Sequence, residues 1–549
     1  MAWLLPSLVD LVFVVCLVGI VFVLQGRALG LDGDIGWHIR LGLRTLQGDL
    51  PRTDTFSYTA FGRPLVGMEW LAEVCYAAVW RLAGLNGVVA LAGVLIAATA
   101  AGLLVALRAR GIPLLVALPL ALLAIALTSI HWVARPHLFS FPLTLWWSEW
   151  LWRYWRDGQR RRLWYFPLVM ALWVNLHGGF VSGLILLGTA VVVVWLFPHG
   201  RGRAELCPLA LTWLACLVAS CANPWGAAWM SYFAAYFADP LVAAHTQELQ
   251  SPDFHTLAGR LFLALLLALA AAWIFGGRRS AANTTTDGDT TSEPTQASKE
   301  SEENERRGGA PEPLAWATAG VWTLLAFTAI RAVPLWALVV APLLGEALTT
   351  WLRAGIQRND DQLASAKGFA TRLGRGLRGA WERSARLEAL ERQIGRGIWS
   401  GAAVVLVALV VLNSGRLPGG ATPIINAQFD PTAFPLAAVA KLRKNGLPPG
   451  HGFNTVEWGG YLIYALPGYR VFIDSRSDFY GPGILGDYVS IMAAGPEWER
   501  VFARYDIRWV LLPADAPLAQ VLRARADWSC RAADDAGVAV LCVRAGAAT

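Results

Sequence analysis

Long apolar runs separated by short polar stretches fill residues 1–413. Eleven of these runs read as membrane spans: 7–26, 85–107, 113–130, 137–152, 164–177, 179–197, 206–222, 258–276, 314–330, 333–351 and 397–413. The run at 164–177 is short and fits a tilted or partly re-entrant segment. No basic stretch precedes the first run and no small-residue cleavage pattern follows it, so it is expected to remain as a helix. The pattern changes at 414. Strand-like runs at 452–456, 470–474, 508–512, 528–532 and 538–543 alternate with helical segments near 434–446, 459–466, 483–494, 496–504 and 516–525. That alternation predicts a small, mostly parallel sheet ending in an antiparallel hairpin. A unit of about 135 residues can bury its own core. The expected fold is a polytopic α-helical membrane domain, 1–413, followed by an α/β domain, 414–549.

Arginine placement orients the helices. Arg108 and Arg110, the group Arg153, Arg156, Arg160, Arg161 and Arg162, then Arg201 and Arg203, Arg278 and Arg279, and the basic stretch 352–396 share one side if every run crosses. Positive charge marks that side as cytoplasmic. The N-terminus is then inside, and the loop 27–84 and the domain 414–549 are extracytoplasmic. Arg27 points the other way, so the placement of the first run rests on parity.

Segment 277–312 is rich in Thr, Ser, Glu, Asp and Gly and reads as a disordered cytoplasmic linker. Segment 352–396 alternates basic and apolar residues, with Trp381, Leu387, Leu390 and Ile394 at near-helical spacing. It reads as an amphipathic helix on anionic headgroups. On the other side, Trp225, Trp229, Tyr232, Phe233, Tyr236 and Phe237 form one aromatic helical face after Asn223-Pro224. Such a helix lies at headgroup level, either as an anchor alone or as a guide for a lipid-linked substrate.

Composition agrees with the pattern. The 549 residues are 56% hydrophobic and only 15% charged, with 27 Trp, against about 25% charged residues in a soluble domain. The net charge of +7 is carried by the basic loops, and no nucleic-acid partner is expected. Cys16, Cys75, Cys207, Cys216 and Cys221 lie in or beside apolar runs and read as packing residues. Cys530 and Cys542 flank the turn signal Asp534-Asp535-Ala536-Gly537 and can face each other across a hairpin, as a disulfide or as two thiols.

Candidate chemistry gathers at the outward ends of the runs. Asp32 and Asp34 open the sequence DGDIGWHIRLG directly after the first run. Two carboxylates can hold a divalent cation such as Mg or Mn, or one can act as a general base; either can instead cap the helix that follows. The same side carries His38, Glu69, His131, Arg135, His177, Asn223, Glu248 and Arg331. Each has a plain structural reading. Arg135 and Arg331 can snorkel, His177 and Asn223 can end helices, and Glu69 can start one. Their shared depth points to a polar cavity opening outward, because ionisable groups near lipid need partners or water. Arginines and histidines there suit a lipid phosphate, and acids suit a base or a metal. No GxxxxGK[ST], HExxH or paired CxxC motif competes with this reading.

One short segment, one span, a long outward loop with an acidic pair and then many spans resembles the GT-C superfamily of membrane glycosyltransferases. The pieces DGDIGWHIRLG, GDLPRTDTFSYTAFGRPLVGMEWLAE, HWVARPHLFS, NLHGG, NPWG, EWGGYLIY and YRVFIDSRSDFYG are similar to those of a group of bacterial multi-span proteins of this type. The resemblance implies a cytoplasmic (inner) membrane location and sugar transfer from a polyprenyl-phosphate donor to an extracytoplasmic glycan, lipid or protein, usually with inversion. It makes Asp32 or Asp34 the catalytic carboxylate. His38, His131, Arg135, His177 and Arg331 are then candidates for the donor phosphate, with Glu69, Asn223 and Glu248 beside them. Metal dependence varies across the superfamily.

Glu457, Trp458 and Tyr461 are distantly similar in placement to the WWDYG motif of oligosaccharyltransferase catalytic subunits, although the first Trp and the following acid are absent. With Asp474, Arg476 and Asp478, at the end of an expected strand, they are acceptor-side candidates. The glycines at 459 and 460 can equally serve a tight strand-to-helix turn. Two other classes remain open: a transporter or flippase of lipid-linked substrate, for which an internal repeat would be expected, and a non-catalytic assembly protein with the same fold.

Overall fold

The computed structural model describes residues 5–545 apart from 31–32, 198–201, 239, 287–311, 363–368, 395–396, 418 and 534–536. Asp32 and most of the expected linker therefore lie outside the described residues.

Each apolar run is helical. Backbone groups in a hydrocarbon layer must bond within their own segment, and these runs contain the apolar side chains that tolerate it. The helices are Leu8–Val18, Trp70–Ala109, Leu114–Thr128, His137–Asp157, Tyr165–Trp173, Val181–Leu196, Gly202–Ala219, Leu257–Thr286, Glu312–Thr328, Val333–Gln362 and Ile398–Leu412. Among the described residues five helical segments are long and apolar enough to cross a membrane: Trp70–Ala109, Leu114–His131, Gly178–Leu196, Leu257–Ile274 and Ile330–Ile356. Leu8–Val23, Pro313–Thr328 and Ile398–Leu412 are shorter apolar helices. Ala83 and Gly84 (φ 59°, ψ −147°) break the Trp70–Ala109 helix, which separates its polar first part from its apolar remainder.

Two polar segments depart from expectation. The Leu257–Thr286 helix runs into the stretch read as linker, because Ala281 and Ala282 continue it beyond Arg279. The amphipathic helix Phe369–Glu391 lies partly on protein. Glu388 accepts from the Leu114 backbone N–H at 2.8 Å and pairs with Arg108 at 3.0 Å, and Glu391 accepts from the Leu8 backbone N–H. Carboxylates supplied from another helix thus satisfy the open N–H groups of two helix starts. Leu387 and Leu390 remain exposed.

The C-terminal sheet has four strands: β1 (His451–Asn454), β2 (Ile507–Pro513), β3 (Trp528–Ala532) and β4 (Ala539–Arg544), in the order β1-β2-β4-β3. Only β1 and β2 pair in parallel; β2–β4 and β3–β4 are antiparallel, so the sheet is not mostly parallel. The expected strand at 470–474 is absent. Its backbone is taken by the first loop instead: Val471 N–H donates to Phe56 O at 2.9 Å, and Tyr58 N–H to Val471 O at 3.1 Å. β2 is buried on both faces. Trp509 and Leu511 join the core shared with the helical body, while Val510 and Leu512 pack with Phe453, Phe472, Tyr480, Trp498 and Phe502. Cys530 and Cys542 stand opposite each other in β3 and β4 and form a disulfide.

Candidate active site

The site is built on the Asp34–Leu46 helix, which two close approaches hold in place. A Cβ on Gly36 would lie 2.3 Å from the carbonyl oxygen of Gly460, and one on Gly42 would lie 2.0 Å from that of Glu73. Only glycine admits backbone contacts this tight. The helix is wedged between Val456–Ala465 on one side and the start of Trp70–Ala109 on the other. Gly460 thus serves helix packing, and Gly459 the close approach of the Ile473 and Asp474 backbone, not a strand-to-helix turn.

Asp34, the first residue of its helix, is buried. Its Oδ2 pairs with Arg135 Nη2 at 3.0 Å, and its Oδ1 accepts from the Ser475 hydroxyl. Arg135 turns its Nη1 to Glu248 Oε1 at 2.9 Å, so one guanidinium bridges two carboxylates. The backbone carbonyl of Arg135 accepts from the Tyr76 hydroxyl at 3.0 Å, which fixes the turn that carries it. Burial, together with the charges of Glu248, Asp474 and Glu69, raises the Asp34 carboxyl well above its ordinary value. Burial would raise Glu248 too, but Arg135, His131, His137 and Arg331 bring it down to about 2.

A second string lies beside the first. His38, one turn along from Asp34, faces Glu73 through Nδ1 at 3.2 Å and Glu69 through Nε2 at 3.9 Å. His177 Nε2 lies 3.5 Å from the other Glu69 oxygen. The His177 Nδ1 accepts the Gly179 backbone N–H at 2.9 Å, which places the proton of a neutral ring on Nε2, toward Glu69. Burial drives His177 down to about 3 and His38 well below its usual value, so both are neutral at pH 7. Burial, reinforced by Asp478 and Glu248, lifts Glu69 to about 8. Glu69 therefore holds a proton at neutral pH.

The remaining candidates separate into three groups. His131 and Arg331 border the strings. His131 O accepts from His137 Nε2 at 2.8 Å, and Arg331 Nη1 donates to the Tyr236 hydroxyl at 2.8 Å while lying 5.1 Å from that ring. Asp478 accepts from the Tyr232 hydroxyl, so the aromatic helix Ala228–Ala238 meets Asp478 and Arg331 through two tyrosines. Asp474 and Arg476 form a buried ion cluster with Asp54 and Tyr480: Arg476 Nη2 meets Asp474 at 2.6 Å and Asp54 at 2.9 Å, and Tyr480 donates to Asp474 at 2.8 Å. This cluster holds Ser475, which lies between its members in sequence, against Asp34.

Three further candidates are spent on structure, and a fourth is exposed. Asn223 closes its own turn, accepting from Trp225 N–H at 2.8 Å and donating to Ser220 O and Gly226 O. Trp458 is buried and donates to Ala433 O at 2.9 Å, and Tyr461 packs on Phe429 and Phe434. Glu457 is exposed on the far side of that helix. Of the acceptor-side candidates, Trp458 and Tyr461 are thus used in packing.

Sequence reading passed over Glu73, His137 and Ser475. Glu73 sits four residues after Glu69, the spacing that puts two side chains on one helix face. His137 follows Arg135 by two positions. Ser475 has no local signal, since its contact with Asp34 spans 441 residues.

Among the described residues no cluster of three or more His, Cys, Asp or Glu side chains is arranged to hold a metal. The gap between Asp34 and Glu248, where a divalent cation would share two carboxylates, is filled by the Arg135 guanidinium. These two residues as placed do not fit a cation site.

No protein-family model matches the chain, and no curated protein matches it. Solved structures do. The Archaeoglobus fulgidus oligosaccharyltransferase tethered to an acceptor peptide containing the NVT sequon superposes with a TM-score of 0.50 at 13% identity, covering 92% of this chain and 69% of that one. The apo form of the Archaeoglobus fulgidus oligosaccharyltransferase gives 0.49 at 12% identity over the same shares. ArnT from Cupriavidus metallidurans bound to undecaprenyl phosphate gives 0.47 at 14% identity, covering 98% of both chains. The likeness is one of fold alone: a helical body with a small C-terminal sheet.

Proposed function

We propose that this chain transfers a sugar from a polyprenyl-phosphate carrier to an acceptor on the extracytoplasmic face of a bacterial inner membrane. The observation that carries the reading is the Arg135 guanidinium held between Asp34 and Glu248 beside Arg331 and a string of histidines. The GT-C fold shared with an oligosaccharyltransferase supports it.

Arg135 and Arg331 hold the donor phosphate, with His131 and His177 beside them. A phosphate entering against Arg135 competes with the carboxylates and releases Asp34 from its ion pair. Asp34, kept in place by Ser475, then takes the acceptor proton as the acceptor oxygen or nitrogen bonds to the anomeric carbon. The bond from that carbon to the phosphate breaks, and the lipid phosphate leaves with the electron pair under the charge of the arginines. Attack opposite the leaving phosphate inverts the anomeric centre. Protonated Glu69 donates a hydrogen bond within the site.

Binding of polyprenyl phosphate to the purified chain tests this reading. Wild type should bind it, and Arg135→Gln should weaken binding about tenfold or more, the loss expected for one charge-assisted contact. Wild type that does not bind would remove the reading. A second reading, a non-catalytic assembly protein with this fold, is favoured by one observation: Asp34, Arg135 and Glu248 already satisfy one another.

A further inference from the structure

A cleft of about 760 Å³ lies away from Asp34, between Tyr58 of the first loop and the chain around 442–451 and 466–470. Its floor is aromatic. Tyr58 stacks on His451 with ring centres 4.2 Å apart and 16° between planes. The hydroxyls of Tyr58 and Tyr469 both donate to Gly452 O, at 3.1 and 3.3 Å, which locks both rings. His451 Nδ1 donates to Tyr505 O at 2.8 Å, so in the neutral ring Nε2 is the acceptor.

The rim is basic. Arg443 stands exposed in the last turn of the Leu436–Asn445 helix, and the Arg470 guanidinium lies 3.9 Å from the centre of the Phe61 ring. No acidic side chain is among the residues that line the cleft. Two guanidiniums on the rim of a cleft that also holds the fixed Tyr58 and Tyr469 rings match an anion carried on a ring with an apolar face. Arginine binds carboxylate or phosphate in a bidentate fork, and a flat C–H face of a sugar covers an aromatic ring.

The cleft also adjoins the candidate site through one helix. Gly460 touches the backbone of Gly33 and Asp34, while Leu466 lines the cleft just past the end of the Val456–Ala465 helix. Six residues of helix separate the two points by about 9 Å.

We propose that this cleft binds an acidic saccharide, a segment of acceptor or product glycan that bears carboxylate or phosphate groups. The anionic character rests on the cleft alone; the saccharide character rests on the glycosyl-transfer reading. The test is equilibrium binding to the full-length protein in detergent micelles, with a short oligogalacturonate and a neutral maltooligosaccharide of equal length. The oligogalacturonate should bind at least about tenfold more tightly, and an Arg443→Ala/Arg470→Ala variant with an unchanged unfolding midpoint should lose about that factor. An Asp34→Asn variant should bind as wild type does, so binding stands whether or not transfer is found. Equal affinity for the two sugars, no binding of either, or full affinity in the double variant would overturn the proposal.

Discussion

Ser475 donates its hydroxyl to the carboxylate of Asp34, joining the C-terminal part of the chain to the first loop at an acid that also meets Arg135. The small sheet and its flanking helices therefore do more than cover the helical body, because they supply a group that orients Asp34. Ser475→Ala should lower transfer without unfolding the protein. Removing a hydrogen bond to a charged group costs about 1.5–3 kcal/mol, or roughly tenfold to a hundredfold in turnover if the loss falls on the transition state. Initial rates with saturating donor would measure it.

Arg135 is a stability element as well as a candidate ligand. Replacing it with Ala leaves the buried Asp34 and the partly exposed Glu248 near each other without their shared cation. The expected cost is about 3–5 kcal/mol, read as a lower unfolding midpoint. Adding Asp34→Asn and Glu248→Gln should recover much of that loss, since the uncompensated charges are gone. Lysine at 135 should rescue little, because an ammonium lacks the planar fork that reaches both acids.

Glu69 gives a pH signature. Its carboxyl is raised from 4.5 to about 8 on folding. Between those values the folded state holds a proton that the unfolded state has released, so stability falls as pH rises across that window and levels off above it. Glu69→Gln should flatten this part of the profile. Unfolding midpoints from pH 5 to pH 9, on the order of a few buffers, would show the difference. A Glu69→Gln profile that matches wild type across the window would contradict the assignment.

Gly36→Ala should displace the helix that carries Asp34, since the added carbon would sit 2.3 Å from the Gly460 carbonyl oxygen. The expected cost is about 1–3 kcal/mol, with loss of activity beyond it because the carboxylate moves. Gly48→Ala offers a contrast: no atom lies within 4 Å of the added carbon, and the cost there comes from its positive φ of 88°. Activity of the Gly48→Ala protein, once folded, should be close to wild type.

The helical body was legible because apolar length is a local property of the chain. So was the gathering of Asp34, His38, Glu69, Arg135, His177 and Glu248, since charged residues at the ends of apolar runs share a depth once the runs are threaded. What could not be read were contacts set by tertiary approach. Ser475 looks like an ordinary loop serine. Gly459 and Gly460 look like turn residues, yet they lie inside a helix, where Gly460 lets it touch the start of the Asp34 helix and Gly459 lets it touch the backbone of Ile473 and Asp474. The run at 470–474 has strand character, but the first loop claims its backbone. Asn223, Trp458 and Tyr461 have polar groups that suggest ligand contact, and local bonds or packing use them instead.

The most direct measurement is transfer of a labelled sugar from a polyprenyl-phosphate donor by the purified protein in proteoliposomes, comparing wild type with Asp34→Asn. Product with wild type and a loss of about a hundredfold or more in the variant is the predicted result, the scale of a missing general base. Equal rates in the two proteins would contradict the role given to Asp34 and, with it, the mechanism.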